Sequence, residues 1–250
     1  MQIFPNDSRD EIELEYSKLI LANFPSYGKF WEKFVGDNNK YKTVLLPRDP
    51  VFPKNYAKED KKNFREIQQW ISKINYSIFC NIVGAEKQLE DYNKTLPISN
   101  LHFFYWAIES FECSYFHIGN IAYSLEALWG KVKNNFFEPL AKKQDMLAYL
   151  KSKNKEKNWT DFRDGEPKSI RDDLVHFGRH IFTQHNGELY LPLNITPRQY
   201  LWSKMKIDGW IPASSKLDSH IKLAYQTCED IYSIIIPEIE KYLKKEGIKI

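Results

Sequence analysis

The feature that most constrains this fold is the long run of apolar residues, spaced three and four apart, through residues 101–129. An α-helix turns by about 100° per residue, so such residues form one continuous stripe along it. Residues 58–89 show the same pattern. Two long helices that each expose an apolar stripe must bury it against other helices, which predicts a helical bundle.

Shorter helical patterns occur elsewhere in the chain. They cover residues 10–24, 136–150, 169–182 and 217–239. Residues 25–57 include Pro47, Pro50 and Pro53 and show little periodicity, so we expect irregular structure there. The lysine-rich segment 151–167 is expected to be a polar connection. Pro237 is expected to bend the last helix.

The dipeptide Asn186-Gly187 between two short apolar segments is typical of a β-hairpin turn. We therefore predict an all-α fold, an up-and-down bundle of four to six long helices with a small β-hairpin at about residues 181–193. Residues 1–57 are predicted to form an N-terminal extension that packs on the bundle, and residues 58–250 form the bundle itself.

The totals favour a globular chain. The 250 residues suffice for a hydrophobic core, and the formal charge of +3 permits an anionic partner without requiring one. Cys80, Cys113 and Cys228 lack zinc-binding spacing and are expected to be reduced thiols. The first residues do not resemble a signal peptide, and no segment is long and apolar enough to span a membrane. We expect a cytoplasmic protein that needs no cofactor and has no membrane partner.

The stretch IRDDLVHFG, residues 170–178, concentrates charged groups on a predicted helix. Its apolar stripe consists of Ile170, Leu174, Phe177 and Ile181. His176 lies about 120° from that stripe, so it is not expected to be a core histidine. Asp172 precedes His176 by four residues and shares its face. Arg179 and His180 extend the polar face by one turn.

Val175 and Phe182 lie on a different flank of this helix, the one that carries Arg171. A helix that is apolar outside its core stripe is expected to contact something else. We predict that this flank meets a second copy of the chain.

The hexapeptide from Arg171 to His176 resembles the motif of the HEPN superfamily, an arginine followed after four to six residues by a histidine. An acidic residue follows the arginine and Leu-Val precedes the histidine, as is frequent in that family. A long helix with the sequence YWAIESF, a polar loop, the motif helix and a closing helix provide a similar context. The resemblance covers about residues 58–246.

This resemblance implies a helical bundle that dimerises beside the motif. Many members are metal-independent ribonucleases, often toxins or antiviral factors, and others are non-catalytic binding modules. Arg171 and His176 would be the active residues, with Asp172 as the polar residue after the arginine. Glu109, Glu112, Arg179 and His180 are the candidates for supporting roles. The implied partners are RNA, a second copy of the chain, and an antitoxin or other partner protein.

The chemistry of these residues suits RNA cleavage. The 2′-hydroxyl of RNA is the nucleophile, and a histidine that titrates near neutral pH can remove its proton or protonate the leaving oxygen. An arginine matches phosphate oxygens and remains charged. Two chains would supply two histidines for the two proton transfers. The expected product has a 2′,3′-cyclic phosphate end.

Three other interpretations remain open. His176 and His180 have metal-ligand spacing, but the glutamate of an HExxH motif and a third ligand are absent. A hydrolase that uses Cys113 lacks any evident histidine partner. A non-catalytic module would bind RNA, a nucleotide or a protein, and the basic loop KSKNKEK would suit phosphate contacts. Arg171 would then pair with Asp173 or another nearby carboxylate, as surface charges often do.

Overall fold

A computed structural model describes residues 22–35, 50–177, 182–193 and 209–249, without the side chains of residues 31–35, 176 and 177. Of the described residues, 76% are helical, and the remainder includes one small antiparallel sheet. The predicted all-α fold class with a small β insertion is therefore confirmed. None of the described helices is both long enough and apolar enough to cross a membrane.

Three helices of more than 30 residues dominate the described chain, and shorter helices lie between them. The helices are α1 (Pro25–Val35), α2 (Lys58–Lys94), α3 (Leu101–Phe136), α4 (Pro139–Lys142), α5 (Met146–Ser152), α6 (Glu156–Arg163), α7 (Glu166–Phe177) and α8 (Ala213–Lys245). The long helices are the ones with the longest apolar periodicity. Helix α3 continues through Gly119 and α8 continues through Pro237, each as one element.

Helix α1 corrects the prediction of irregular structure from residue 25 onward. Its start is held by Glu229, whose carboxylate accepts a hydrogen bond from the backbone N–H of Ser26 at 3.1 Å. An acidic group there satisfies a free donor and interacts favourably with the helix dipole. Tyr27 and Phe30 are buried and provide the apolar side that anchors this helix. The predicted helix over residues 10–24 lies almost entirely outside the described residues.

Two segments between α3 and the motif helix also differ from expectation. The predicted helix over residues 136–150 is divided into α4 and α5, because Pro139 starts one helix and Asp145 caps the next by accepting from the N–H of Ala148 at 2.7 Å. The predicted polar connection contains α6, which is anchored by the buried side chains of Trp159 and Phe162. Trp159 and Phe162 are three residues apart and therefore bury the same face of α6, although most of the other residues in this helix are polar or charged.

The motif helix α7 begins at Glu166, three residues before the predicted start. Ser169 is not its N-cap, because its hydroxyl donates back to the carbonyl of Gly165 from inside the helix, at 3.2 Å. The helix is described as far as Phe177, and Phe182 lies outside it. Pro167 suits the first turn of the helix, where its missing N–H costs nothing.

The predicted hairpin is confirmed, and a third strand joins it. Strands β1 (Thr183–His185), β2 (Glu188–Pro192) and β3 (Trp210–Pro212) form an antiparallel sheet in that order. Asn186 and Gly187 both have positive φ, 48° and 73°, as a two-residue hairpin turn requires. The three-residue strand β3 is too short to be recognised from sequence.

The chain forms two compact units. The first contains the described parts of residues 22–79, 124–155 and 228–249, and the second those of residues 80–123 and 156–227. In the first unit, the buried amide of Asn75 donates to the Tyr27 hydroxyl at 3.1 Å and accepts from that of Tyr232 at 2.6 Å. The second unit contains the sheet and the motif helix. The predicted division after residue 57 stays a prediction.

Candidate functional site

The apolar stripe of the motif helix lies where the periodicity predicts it. Ile170 and Leu174 are buried, with 2% and 5% of their surface exposed. Val175 is 45% exposed, which agrees with its predicted place away from the core. The side chain of Phe177 and all of Ile181 lie outside the described residues. Packing along this apolar stripe therefore fixes the position of the motif helix.

Arg171 lies across helix α3 rather than projecting into solvent. Its Nη1 donates to the Tyr123 hydroxyl at 3.2 Å and to Oδ1 of Asp172 at 2.9 Å. Its Cζ is 5.2 Å from the centre of the Tyr123 ring, a cation–π distance. These three contacts hold the guanidinium on helix α3 within the second unit.

One edge of the Arg171 guanidinium makes no hydrogen bond within the described part of the chain. Both of its hydrogen bonds come from Nη1, and Nη2 and Nε make none with the described part of the chain. Two adjacent donors of an arginine match two oxygens of a phosphate. The contact with Tyr123 uses only Nη1, so it does not occupy these other two donors.

The two aspartates after Arg171 have different surroundings. Asp172 is the partner of Arg171, and 34% of its side chain is exposed. Asp173 is only 3% exposed, because one helical step turns it toward the interior. Of the carboxylates that the alternative of a simple ion pair allowed, Asp172 rather than Asp173 is the partner of Arg171.

His176 lies on the same helix as Arg171, one residue before the last described position of α7. Its side chain is outside the described residues, as are Arg179 and His180 entirely. The predicted roles of these three residues stay predictions. Asp172 forms an ion pair with Arg171. Its predicted contact with the His176 imidazole also stays a prediction, because the His176 side chain lies outside the described residues.

The predicted flank with Val175 and Phe182 is wrong for Phe182. This residue lies after the described end of the helix, and its ring packs edge-on against the buried Phe111 at 5.2 Å between ring centres. Phe182 is thus half-buried and packs against a core residue of the second unit. Val175 remains as the exposed apolar residue of the motif helix.

Glu109 and Glu112 lie on helix α3, in the same turn as each other. Glu109 is exposed, whereas Glu112 is half-buried. Burial raises the pKa of Glu112, and the negative charge of Glu109 raises it further. Neither carboxylate bonds to Arg171 among the described contacts, so their supporting role stays a prediction.

The thiol and metal interpretations gain no support. Burial raises the pKa of the Cys113 thiol, and Glu109 and Glu112 raise it further, which disfavours the thiolate that a nucleophile needs. Within the described residues, no three His, Cys, Asp or Glu side chains come together as a metal site. The side chains of His176 and His180 lie outside the described residues.

Sequence reasoning missed the cationic surroundings of Tyr123. Arg163, at the end of α6, places its Cζ 5.8 Å from the same ring that Arg171 contacts. Lys168, one turn before Arg171 on α7, lines a surface pocket together with Tyr123 and the two arginines. The available sequence signal was the spacing of Lys168 and Arg171, three residues apart on one helix face.

A buried polar network also escaped sequence reasoning. The Tyr115 hydroxyl and Nδ1 of His220 are 2.7 Å apart, and Nε2 of His220 lies 3.4 Å from Glu166. Lys216 binds the other oxygen of Glu166 and donates to the carbonyl of Pro192 at 3.2 Å. The network joins the start of the motif helix to α3, α8 and the sheet, and so positions α7.

The chain matches no family model, and no curated protein or solved structure matches it. The resemblance to the HEPN superfamily therefore depends on this chain's own residues, chiefly Arg171 and His176.

Proposed function

We propose that this chain is a metal-independent endoribonuclease of HEPN type, in which Arg171 and His176 act on the scissile phosphodiester. The observation that carries the proposal is the held guanidinium of Arg171, which keeps two donors available on the helix that also bears His176. A prepositioned cation needs no reorganisation when negative charge develops on a phosphate.

Each residue of the motif has a defined task in this mechanism. The 2′-hydroxyl of RNA attacks the adjacent phosphorus while one His176 accepts its proton. Arg171 stabilises the charge that develops on the phosphoryl oxygens. A second His176 protonates the leaving 5′-oxygen, which yields a 2′,3′-cyclic phosphate and a 5′-hydroxyl. Asp172 holds the guanidinium through its 2.9 Å ion pair.

The need for two histidines implies a homodimer, and the exposed apolar side chains support one. Val175 on α7 and Phe116 on α3 are 45% and 42% exposed, both within the second unit. Size-exclusion chromatography with light scattering is expected to show a dimer at micromolar concentration. Val175→Glu is expected to shift it to monomer and abolish cleavage. A monomeric parent protein that still cleaves RNA would contradict the composite site.

Cleavage in the presence of EDTA tests the proposal directly. Purified protein is incubated with single-stranded and structured RNAs, and Arg171→Ala and His176→Ala are each expected to abolish cleavage. His102→Ala, which removes an exposed histidine of α3, is the matched control and should retain activity. Cleavage that persists in His176→Ala, or that requires a divalent metal, would refute the proposal.

A non-catalytic RNA-binding module is the second candidate, favoured by the cations that surround Tyr123. It predicts saturable, salt-dependent binding with intact RNA at every protein ratio. Arg171→Ala would then weaken binding, whereas His176→Ala would leave RNA intact as the parent does.

A toxin or phage-defence role follows from the same family resemblance, and so does an antitoxin or other partner protein. Induced expression in bacteria is expected to arrest growth, and His176→Ala is expected to relieve the arrest. Equal growth arrest by the parent protein and by His176→Ala would show that the arrest does not depend on cleavage by His176.

A further inference from the structure

An exposed tryptophan lies on the surface of the first unit, where α2 and α3 adjoin. Trp70 on α2 is 55% exposed, whereas tryptophan side chains are highly buried on average. The two helices lie side by side in this region, since the hydroxyl oxygens of Ser77 and Ser124 are 3.3 Å apart. The Trp70 indole therefore presents a large part of its aromatic surface to solvent.

Two lysines from different helices meet at this ring. Nζ of Lys73 on α2 is 5.6 Å from the centre of the Trp70 ring, and Nζ of Lys131 on α3 is 5.4 Å from it. Neither ammonium group forms an ion pair or donates a hydrogen bond within the part of the chain that the structure describes. All three residues belong to the first unit, and we name them the Trp70 surface.

The contacts between the lysines and the ring are weak enough for a ligand to replace them. A cation–π contact at an exposed site shifts an equilibrium by about two- to fivefold. Stacking of a nucleobase on an aromatic side chain contributes more, about five- to 150-fold. Lys73 and Lys131 are both exposed, so their flexible stems can carry the ammonium groups from the ring to another acceptor.

The chain around the Trp70 surface is basic. The described residues of the first unit contain 19 lysines and arginines and 12 aspartates and glutamates, whereas those of the second unit contain 8 and 13. Residues 50–79 and 124–155, which include the Trp70 surface, account for this excess with 13 basic and 6 acidic residues. A local excess of positive charge attracts anions, so the partner that this surface fits is anionic.

We infer that the Trp70 surface binds single-stranded nucleic acid, with one unpaired base stacked on the indole and the adjacent phosphates at Lys73 and Lys131. Aromatic rings beside cations bind single strands with little sequence preference, because every base has a π-face and every linkage has a phosphate. A single indole offers little apolar area for insertion into a bilayer, which favours nucleic acid over an anionic membrane. This inference goes beyond the proposed nuclease and does not depend on it.

The stacking contact is tested with a labelled single-stranded DNA of about 12 nucleotides, which the full chain cannot cleave by the proposed mechanism because DNA lacks the 2′-hydroxyl. Trp70→Phe keeps a ring and should bind within about threefold of the parent, whereas Trp70→Leu should weaken binding at least about fivefold. Both variants should fold, because the position is 55% exposed, and circular dichroism melts verify this. Equal affinities of Trp70→Leu and the parent would overturn the inference.

The phosphate contacts are tested by the salt dependence of binding. Replacing Lys73 and Lys131 together by alanine should reduce the slope of log K against log salt by about 1.4, since each contact contributes about 0.7 for single strands. The matched control replaces Lys151 and Lys244, which are exposed in the same unit and form no ion pair within the described residues. Its slope should stay within about 0.3 of the parent. An equal reduction in both double variants would reveal a general charge effect and overturn the inference.

Other ligands separate stacking from simple attraction between charges. A duplex of the same sequence keeps its bases paired, so it should bind at least about fivefold more weakly at about 150 mM salt. RNA of this sequence with 2′-O-methyl groups, which block cleavage, should bind like the DNA. Equal binding of duplex and single strand would overturn the inference, and so would binding to phosphatidylserine vesicles without binding to either oligonucleotide. None of these measurements requires RNA cleavage, so failure of the nuclease proposal and failure of this inference are observed separately.

Discussion

The side chain of Arg171 passes directly over Gly119, so that a methyl group at Gly119 would lie 2.9 Å from Cγ and 3.2 Å from Cδ of the arginine. These atoms belong to the stem of the side chain and cannot move without moving the guanidinium. Gly119 is in the middle of α3, where glycine costs about 1 kcal/mol relative to alanine. Gly119 thus lowers the stability of α3 at the position where the side chain of Arg171 crosses this helix.

We predict that Gly119→Ala displaces Arg171 while the protein stays folded. The gain in helix propensity should offset much of the steric cost, so the melting temperature should change by only a few degrees. RNA cleavage should fall at least tenfold, as measured in EDTA with the assay for the parent protein. Unchanged cleavage would show that the position of the guanidinium over Gly119 is irrelevant to activity.

Gly130→Ala is the control for this prediction on the same helix. No atom of the described residues lies within 4 Å of a methyl group at that position. The substitution should raise the free energy of unfolding by up to about 1 kcal/mol. Cleavage should be unchanged, so the pair of variants separates helix propensity from the crossing of Arg171.

Leu174→Ala should destabilise the protein by roughly 2–5 kcal/mol, because it removes a large side chain from a packed site that is 5% exposed. Urea unfolding followed by circular dichroism measures this change. The adjacent Val175→Ala, at a position that is 45% exposed, should change the free energy of unfolding by less than about 0.5 kcal/mol. Equal losses at the two positions would contradict the burial of the motif helix on one face.

Glu112→Gln should stabilise the protein at pH 7 and not at pH 4. Burial and then the charge of Glu109 raise the pKa of Glu112 in the folded state, so its ionisation at neutral pH opposes folding. Glutamine removes that cost. Below the ordinary pKa of glutamate, about 4.3, both residues are uncharged and the difference should disappear. Thermal melts at the two pH values test this, and a gain that is independent of pH would refute the explanation.

Glu166→Gln should destabilise the protein at neutral pH. Burial alone would raise the pKa of Glu166, but the hydrogen bonds from His220 and Lys216 outweigh it and lower the pKa. The substitution leaves the 5% exposed Lys216 without its charged partner. The loss should be below the roughly 3–5 kcal/mol of a fully buried pair, because 36% of the Glu166 side chain is exposed.

The pH dependence of the free energy of unfolding of Glu166→Gln provides the control for this prediction. A lowered carboxylate pKa stabilises the fold above about pH 4.3, and that stabilisation is lost as the pH falls through the lower folded-state pKa. The difference between parent and Glu166→Gln should therefore narrow as the pH falls below 4.3. Curves of unfolding free energy that stay parallel down to pH 2.5 would contradict this assignment.

The long helices could be predicted from the sequence because their apolar spacing extends over many turns. Helix α2 ends at Lys94, before Pro97 as expected, and α3 contains the entire periodic segment from Leu101 to Trp129. The shorter helices α1 and α6 were missed, because each depends on a few buried aromatic residues or on a distant carboxylate. Glu229, which caps α1, lies 203 residues from Ser26 in the chain.

In the candidate site, too, some features could be predicted from the sequence and others could not. The buried stripe of Ile170 and Leu174 was predictable, since helix geometry alone decides which residues share a face. The contact of Arg171 with Tyr123 was not, because 48 residues separate them and no local rule relates their positions. Phe182 was assigned to the wrong flank because the prediction extended the helix beyond its described end.

The sequence by itself determined the fold class, the hairpin turn and the buried positions of Ile170 and Leu174 on the motif helix, because these follow from local periodicity and backbone preference. Only the tertiary structure decided that Arg171 lies over Gly119 and shares the Tyr123 ring with Arg163. That arrangement depends on how helices α3, α6 and α7 pack within the second unit. Packing brings together charges that are distant in the chain, and the chemistry of a site depends on those distances.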